Sequence, residues 1–569
     1  MASPQGASFS QPFLYRWDPI FDSPRNLSGH YDKPYVDVRG DVDIDFDLIR
    51  CFAQIFDEAD SCHYATDTLA GFCADVNLQT LQQNLCSTTQ HVAILENDGQ
   101  LTAWGLYQAL ANNTKTQGLG GADIEQAKQS KRELSHKRRL YVTNLNCWTV
   151  FALVASMPVH QARVLGEFVL NHLHFDPLIN AKIPMDKLPV FALEFHLPYY
   201  AWRKHRLPRA DCPRTLNGKG LRQYQDITFL RTMGSKVDNS LTEYIYEANM
   251  SCLISGLDSS SWTAYFFNDT YFEPDDYPEN IQEYDAQECE DVMPDPLAAG
   301  KRLTHPLPAC PREYFLIILE IRIRKVKEEW QQLYNPVYEA IQSYKSRYWS
   351  QTRQIASCSK DDPKACSTAD RKRRVLREEF QEWMRQSTEL LRKFINSLGQ
   401  DAREWRIFCG TGMNSFMSHE PSQLTRFSRT LTAIDQHFVD LERLSAKMQN
   451  LMDCLCKDAV RDVNLRIAHE SNESALSQQK TASVLTWMTI FSLPFVLAAG
   501  LLSTQKGFVP ITPSPWALLA SIAIMGIPLW LILGSLLGCS WFTERLKWAG
   551  RRLGIRKSDI GGVELQDLP

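Results

Sequence analysis

The chain has 569 residues, with 61 Lys and Arg against 66 Asp and Glu, which gives a formal net charge of −5. This acidic balance excludes a strongly basic nucleic-acid binder, and a hydrophobic fraction of 44% excludes wholesale disorder. The mean hydropathy of −0.30, taken alone, suggests an ordinary soluble multidomain protein. An average does not show where the apolar residues lie, so their position along the chain decides the class.

The N-terminal part predicts a Pro-containing tail over residues 1–40 and an α/β or α+β domain over residues 41–310. Two apolar runs that begin at His91 and Gln100 flank Asn97-Asp98-Gly99, which is a strong hairpin signal. The second run is expected to continue as a strand to residue 107. Further strand-like runs cover residues 140–154 and 188–197, and a helical stretch between them covers residues 160–173.

A dense acidic run covers residues 269–295. Hard divalent cations take oxygen ligands, so the run contains candidate sensing ligands. It lacks the regular spacing of an EF-hand loop, and its prolines favour an alternative interpretation as a solvated acidic linker. The candidate cation-sensing residues are Asp269, Glu273, Asp275 and Asp276.

A helical, coiled-coil-like stalk is predicted over residues 311–480. Two amphipathic stretches occupy residues 312–350 and 368–398, and a third carries apolar residues at alternating steps of four and three. Because no Pro or Gly lies between Pro421 and Pro494, one helix can run through 480, with a cytosolic part roughly 90 Å long. A polar helix of that length predicts a bundle or an oligomer. The seam residues are Phe427, Leu431, Ile434, Phe438, Leu441, Met448, Met452 and Leu455.

The apolar residues concentrate near the end of the chain. Residues 481–505 form 25 consecutive uncharged positions, and residues 516–542 form 27. A helix needs about 20 such residues to cross a bilayer. The sequence therefore predicts a two-span transmembrane hairpin over residues 481–545, with spans of about 483–503 and 516–542; a buried soluble helix is the alternative.

The charges that flank the two predicted spans indicate an orientation. The loop between them contains only Lys506, whereas six basic residues cluster around the start of the tail over residues 546–569. By the positive-inside rule the N-terminal body and the tail are both cytosolic, in a membrane that the sequence does not name. The fifteen cysteines, which include no CxxC pair, agree with a reducing compartment. The basic residues are Arg545, Lys547, Arg551, Arg552, Arg556 and Lys557.

No catalytic constellation stands out. The chain has no GxSxG, HExxH, GxxxxGK[ST] or GxGxxG motif, and Gly118-Leu-Gly-Gly121 lies in a polar stretch. The expectation is that the protein is not an enzyme and has no cofactor. A membrane-tethered enzyme, with a polar cluster around residues 190–270, is the alternative.

The first predicted span carries a family resemblance. Thr489-Ile490-Phe491-Ser492-Leu493-Pro494-Phe495, after a long helix and before a second span, resembles the CorA-type magnesium transporter superfamily. Phe191-Ala-Leu-Glu-Phe-His-Leu-Pro-Tyr199 and Trp262-Thr-Ala-Tyr-Phe-Phe-Asn-Asp-Thr-Tyr271 are similar to divergent CorA-like proteins of filamentous fungi. The resemblance implies a homopentamer in the lipid bilayer, with the first span lining a divalent-cation pore.

One departure from the family pattern concerns the pore mouth. The family ends its first span with Gly-Met-Asn, and counting from Pro494 this motif falls on Ser503-Thr504-Gln505. Gly500 matches the family's glycine. The triplet Gly412-Met413-Asn414 lies ahead of the long helix and is interpreted as chance.

Two hypotheses follow for the first span. In the first, one helical face lines a pore for divalent metal ions, Mg²⁺ by family default, with hydroxyl and amide oxygens receiving the hydrated ion and apolar rings acting as a gate. In the second, the same face packs helix on helix, and the protein is a non-conducting, membrane-anchored scaffold. The candidate pore-lining residues are Leu485, Thr489, Leu493, Val496, Gly500, Ser503, Thr504 and Gln505.

Overall fold

The structure is a computed structural model of the whole chain. It describes residues 17–25, 35, 48–57, 64–74, 76–96, 98–115, 137–183, 189–212, 214–216, 218–231, 241–274, 276–281, 284, 294–304, 310–358, 363–418, 420–503 and parts of 515–528. The chain forms two compact units, Met1–Lys457 and Asp458–Pro569. The predicted domain limits at residues 40, 310, 480 and 545 stay predictions.

The first unit combines a mixed sheet with helices on both of its faces. Its helices ahead of the stalk are α1 (Leu48–Asp57), α2 (Tyr64–Phe72), α3 (Leu78–Gln83), α4 (Leu85–Thr89), α5 (Ala103–Lys115), α6 (Cys147–Ser156) and α7 (Val159–His174). Its strands are β1 (His91–Leu95), β2 (Gly99–Thr102), β3 (Lys137–Thr143), β4 (Leu178–Lys182), β5 (Phe191–His205), β6 (Thr215–Leu216), β7 (Lys219–Gly220), β8 (Tyr224–Asp226), β9 (Thr242–Asp258) and β10 (Ser261–Asn268).

The main sheet has the strand order β2-β1-β3-β10-β9-β5-β4, with β8 paired to β9. All pairs are antiparallel except β3 with β10. The longest ladder joins β5 and β9, from Phe191 opposite Gly256 to His205 opposite Thr242. The predicted hairpin is confirmed, because β1 and β2 pair directly with Leu95 opposite Gly99.

Alternation along β10 explains why helices cover both faces of the sheet. Phe267 lies 4.7 Å from Phe168 of α7, measured between ring centroids. Its neighbour Phe266 faces the other side, where the guanidinium of Arg322 lies 4.3 Å above the ring. Successive strand residues point to opposite faces, so an unbroken apolar run marks a strand that is buried on both sides.

Two predicted strands end earlier than expected because polar side chains cap helices. The run from Gln100 leaves the strand after Thr102, whose hydroxyl accepts a hydrogen bond from Gly105 N at 3.1 Å. The run over 140–154 is strand only to Thr143, since the Asn146 carboxamide caps α6 by accepting from Thr149 N at 2.9 Å. Such caps satisfy free N–H groups and override β-propensity. The predicted helical stretch over 160–173 is confirmed as α7.

Three long helices follow, as the sequence predicts: α8 (Pro311–Cys358), α9 (Pro363–Thr411) and α10 (Pro421–Ser503). The Gly412-Met413-Asn414 triplet lies in the connection before α10, where Met413–Phe416 forms a single 3-10 turn. The fold class, an α+β domain with a long helical C-terminal region, is therefore confirmed. The transmembrane hairpin stays a prediction.

The first part of α10 packs within its own chain as one member of a helical bundle. Phe438 stacks on Trp405 of α9 with 4.9 Å between ring centroids, and the Trp405 indole donates to Asp435 at 3.0 Å. The predicted seam is mostly buried, but Leu451 is buried in place of Met452. Residues of α8 and α9 thus cover this seam.

Candidate functional site

Six of the eight predicted pore-lining residues lie on one face of α10. α10 is helical without interruption to Ser503, so these six positions fall within about 80° of one another at 3.6 residues per turn. They are Leu485, Thr489, Leu493, Val496, Gly500 and Ser503. Leu485 is 59% exposed and Val496 is 65% exposed. A Cβ added at Gly500 meets no atom within 4 Å. The other described side chains between 481 and 500 are exposed as well, so exposure does not distinguish this face from the rest of the helix.

The Thr489 hydroxyl is the polar group at the centre of this face. It donates to the Leu485 carbonyl, four residues earlier, at 2.8 Å. A hydroxyl has one proton and two acceptor sites, so the oxygen of Thr489 retains acceptor capacity after this bond. A ring of such oxygens could contact the water shell of a cation.

Much of the predicted transmembrane hairpin after Ser503 lies outside the described residues. Ser503 is the last residue of α10, and Thr504 and Gln505 lie outside the described residues. Only parts of the second predicted span are described. A search of the described residues finds no helix that combines the length and apolarity needed to cross a membrane.

The acidic run is built into the first unit by arginines. Asp269 is buried and receives hydrogen bonds from Arg214 Nη1 at 2.5 Å and Arg222 Nε at 2.7 Å. Burial by itself raises the pKa of Asp269, but the two guanidinium groups outweigh it and hold the pKa well below its usual range. The interpretation as a solvated linker is wrong for Asp269, as it is for Glu273, Glu279 and Asp295, which are all buried.

The other candidate sensing residues do not converge on Asp269. Glu273 is paired with Arg203, whose guanidinium also donates to Glu329 at 2.9 Å. Asp276 is exposed, and Asp275 lies outside the described residues. In the part of the chain that the structure describes, no three His, Cys, Asp or Glu side chains are grouped so that they could hold a metal ion. Cation sensing by these four residues stays a prediction.

A buried polar chain, which the sequence analysis missed, crosses the sheet beside Asp269. Glu194 Oε1 and His196 Nε2 are 2.8 Å apart on β5. Ser251 Oγ of β9 lies 2.7 Å from His196 Nδ1 and 2.8 Å from His172 Nδ1 of α7. At the far end, His172 Nε2 lies 3.7 Å from Asp269 Oδ1, which is too long for a hydrogen bond.

The direction of hydrogen bonding in this chain follows from its ends. Burial raises the pKa of Glu194, but His196 and Lys182 outweigh it and lower the pKa to about 2, so Glu194 is an acceptor. If His196 donates to Glu194 from Nε2, its Nδ1 accepts from Ser251, which in turn accepts from His172 Nδ1. Burial lowers the pKa of His172 to about 4, although Asp269 opposes this, and its Nε2 then carries a lone pair. In the described part of the chain, that atom has no hydrogen-bond partner.

The buried polar chain joins a helix to the sheet. All four of its central side chains are fully buried. It ties α7 to two adjacent strands, which fixes the helix against the sheet. The sequence did contain a signal, since Glu194 and His196 are polar residues at i and i+2 in the apolar run from Phe191 and so share one face of the strand.

Comparisons with known proteins place few constraints on the chain. No model of a known protein family matches it, and no curated protein matches it. Among solved structures, it is similar to a CorA magnesium transporter from Methanocaldococcus jannaschii, with 8% sequence identity over 70% of this chain and 90% of that chain. The TM-score is 0.27, which is too low for this similarity to support a conclusion about fold or function.

Proposed function

We propose that the chain is an oligomeric membrane protein that conducts divalent metal ions passively, with Mg²⁺ as the default cargo by the family resemblance. The observation that carries the proposal is the continuity of α10 from the packed body, Pro421 onward, to Ser503. Its last 23 residues, 481–503, are free of charge, and those whose side chains are described are all exposed. Under this proposal both termini are cytosolic and the protein is not an enzyme.

The face of α10 has the chemistry that a hydrated cation needs in a narrow passage. Mg²⁺ gives up its water reluctantly, so a ring of neutral Thr489 oxygens could receive the ion through its hydration shell. Rings of Leu493 and Val496 could close the passage by dewetting. Five copies are proposed on the resemblance alone. Ser503, Thr504 and Gln505 would then form the mouth in place of the family's Gly-Met-Asn.

The direct test is ion flux. The full chain, with its oligomeric state verified, is reconstituted in liposomes that contain a Mg²⁺-sensitive dye. We expect uptake above that of empty vesicles and a several-fold faster uptake for Leu493→Ser, because a hydroxyl wets the proposed gate. The absence of flux from a verified oligomer contradicts conduction and leaves the scaffold hypothesis, which the substituted mouth motif favours.

A matched pair of hydroxyl variants tests which face lines the pore. Thr489 and Ser483 both donate to the carbonyl four residues earlier at 2.8 Å, but they lie on different faces. Thr489→Val should reduce flux several-fold, whereas Ser483→Ala should leave it unchanged. Equal effects from both variants would contradict the assignment of the face.

A further inference from the structure

Helices α8 and α9 form a long antiparallel hairpin. Tyr344 stacks on Trp383 at 4.0 Å and Tyr348 stacks on Phe380 at 3.7 Å, between ring centroids. As the residue number rises along α8, the number of its partner on α9 falls. The closed end of the hairpin therefore lies where α8 ends at Cys358 and α9 begins.

The closed end is strongly basic. We define the basic hairpin tip as the described residues 345–358 and 363–377, which contain nine Lys or Arg and one Asp, a difference of +8 in a chain whose net charge is −5. The most accessible of its described basic side chains are on both helices. They are Arg353, Arg371, Lys372 and Arg374, all exposed.

The helix itself is not stabilised by these charges. Arg371 and Arg374 are three positions apart, a spacing at which like charges repel across one helix turn. Within the described residues, the exposed side chains of Arg371, Lys372 and Arg374 form no ion pair. Farther along the same helix, Arg385 is paired with Glu382 at 2.7 Å and with Glu389 at 3.2 Å. Unneutralised charge is thus concentrated at the tip.

Within the first unit, α8 runs parallel to the first part of α10. Three pairs join α8 to α10 in the first unit, with side-chain N–O distances of 3.1 to 3.5 Å. The residue numbers of both partners rise together, so α8 and α10 are parallel. The pairs are Glu313 with Arg426, Glu320 with His437, and Lys327 with Asp440.

We propose that the basic hairpin tip is an electrostatic docking surface for the anionic headgroups of a phospholipid bilayer. The inference rests on the proposed function, which makes the chain a membrane protein. The exposed residues Arg371, Lys372 and Arg374 spread over about 160° of the helix circumference, so no single flat face presents all three charges. A fluid layer of headgroups can surround such a tip, whereas a folded acidic partner would need them on one side.

Hydrogen exchange of the full chain in lipid nanodiscs tests the proposal. In discs of phosphatidylcholine with phosphatidylserine, the backbone amides of the basic hairpin tip should exchange at least several-fold more slowly than in phosphatidylcholine alone, and added salt should reverse the effect. The triple variant Arg371→Gln, Lys372→Gln, Arg374→Gln should lose this protection. The matched control, Arg392→Gln, Arg403→Gln, Arg429→Gln, removes three exposed charges away from the tip and should keep it.

A second measurement separates this inference from the proposed function. Co-flotation with phosphatidylserine vesicles needs no insertion, and neutralising three basic residues should weaken it roughly 100-fold relative to the control variant. If flotation depends on the tip but the chain shows no ion flux, the result contradicts the proposal of ion conduction and supports the proposed docking surface. Equal flotation of the two triple variants, or equal exchange in neutral and anionic discs, overturns the docking surface. Protection of the tip by polyglutamate or RNA but not by anionic lipid would also overturn it.

Discussion

Arg214 and Asp269 form an interior ion pair, with 2.5 Å between Nη1 and Oδ1 and side chains at most 1% exposed. The two residues are 55 positions apart in the chain, and Asp269 stands directly after β10. Arg214 Nε also donates to Asp211 at 2.5 Å. The acidic run that the sequence offers as a cation site therefore begins with a carboxylate that is already neutralised by arginine.

Removing Arg214 should leave that carboxylate buried without its main partner. Breaking one side of a buried pair typically costs about 3–5 kcal/mol, so Arg214→Met should lower the melting temperature markedly. The measurement is thermal unfolding of the full chain followed by tryptophan fluorescence. Arg406→Met, which removes an exposed pair with Glu442, should leave the melting temperature nearly unchanged. Equal effects would show that burial of the pair is not what matters.

The pH dependence of stability should include a contribution from His172. Its pKa is about 4 in the folded chain and 6.5 in the unfolded reference, so the unfolded state binds a proton more readily over this range. The free energy of unfolding should therefore fall as the pH falls from 6.5 to 4, by about 3 kcal/mol from this residue. Denaturation of His172→Gln should show a shallower slope over that range. An unchanged slope would contradict the assignment.

Asp401 should destabilise the chain at neutral pH. Its carboxyl group is buried on α9, and neither oxygen has a hydrogen-bond partner among the residues that the structure describes. Burial, with a smaller contribution from Glu404, raises the pKa of Asp401 well above its usual value. The folded state therefore binds this proton more tightly than the unfolded state, and the free energy of unfolding falls as the pH rises. Asp401→Leu should raise the free energy of unfolding by about 1–3 kcal/mol at pH 7.

Asp435, which accepts from the Trp405 indole, provides the contrast to Asp401. Asp435→Leu should lower stability, because it leaves that indole without its acceptor. Both variants are measured by denaturant titration. A loss of stability in Asp401→Leu would mean that its carboxyl has a stabilising partner.

Gly256 is a position where no side chain fits. A Cβ there would clash with the Ser261 carbonyl oxygen and lie 2.5 Å from the Trp262 Cβ, across the β9–β10 turn. Gly256→Ala should lower the free energy of unfolding by about 1–3 kcal/mol or more, since the backbone has to shift. Gly399→Ala, in α9 with no atom within 4 Å of the added Cβ, should raise it by about 0.5–1 kcal/mol. Denaturant titration of both variants measures the two free energies of unfolding, and an unchanged value for Gly256→Ala would contradict the prediction.

The seam on α10 should act within one copy of the chain. Phe438 is 2% exposed and stacks on Trp405, so Phe438→Ala should lower the free energy of unfolding by about 3–5 kcal/mol. The loss should not depend on protein concentration, because α8 and α9 of the same chain cover the seam. Dilution series of the unfolding midpoint check this. A concentration-dependent loss would restore the oligomeric seam that the heptad pattern first suggested.

Local signals were sufficient for the elements whose residues satisfy one another nearby. The Asp98-Gly99 turn, the helix that begins at Pro311 and the Pro-free run after Pro421 are each visible in the sequence and are confirmed. The ends of two strands were missed, because the caps at Thr102 and Asn146 are single side chains that override a run of apolar residues.

The sequence by itself determined an α+β body, three long helices and two charge-free runs near the C-terminus, because periodicity and helix-breaking residues act over short distances. Only the tertiary structure decided what the polar residues do. It paired Asp269 with arginines that are distant in sequence, joined Glu194 to His172 through Ser251, and covered the Phe427–Leu455 seam with helices of the same chain. Charge and burial depend on neighbours that the order of residues does not reveal.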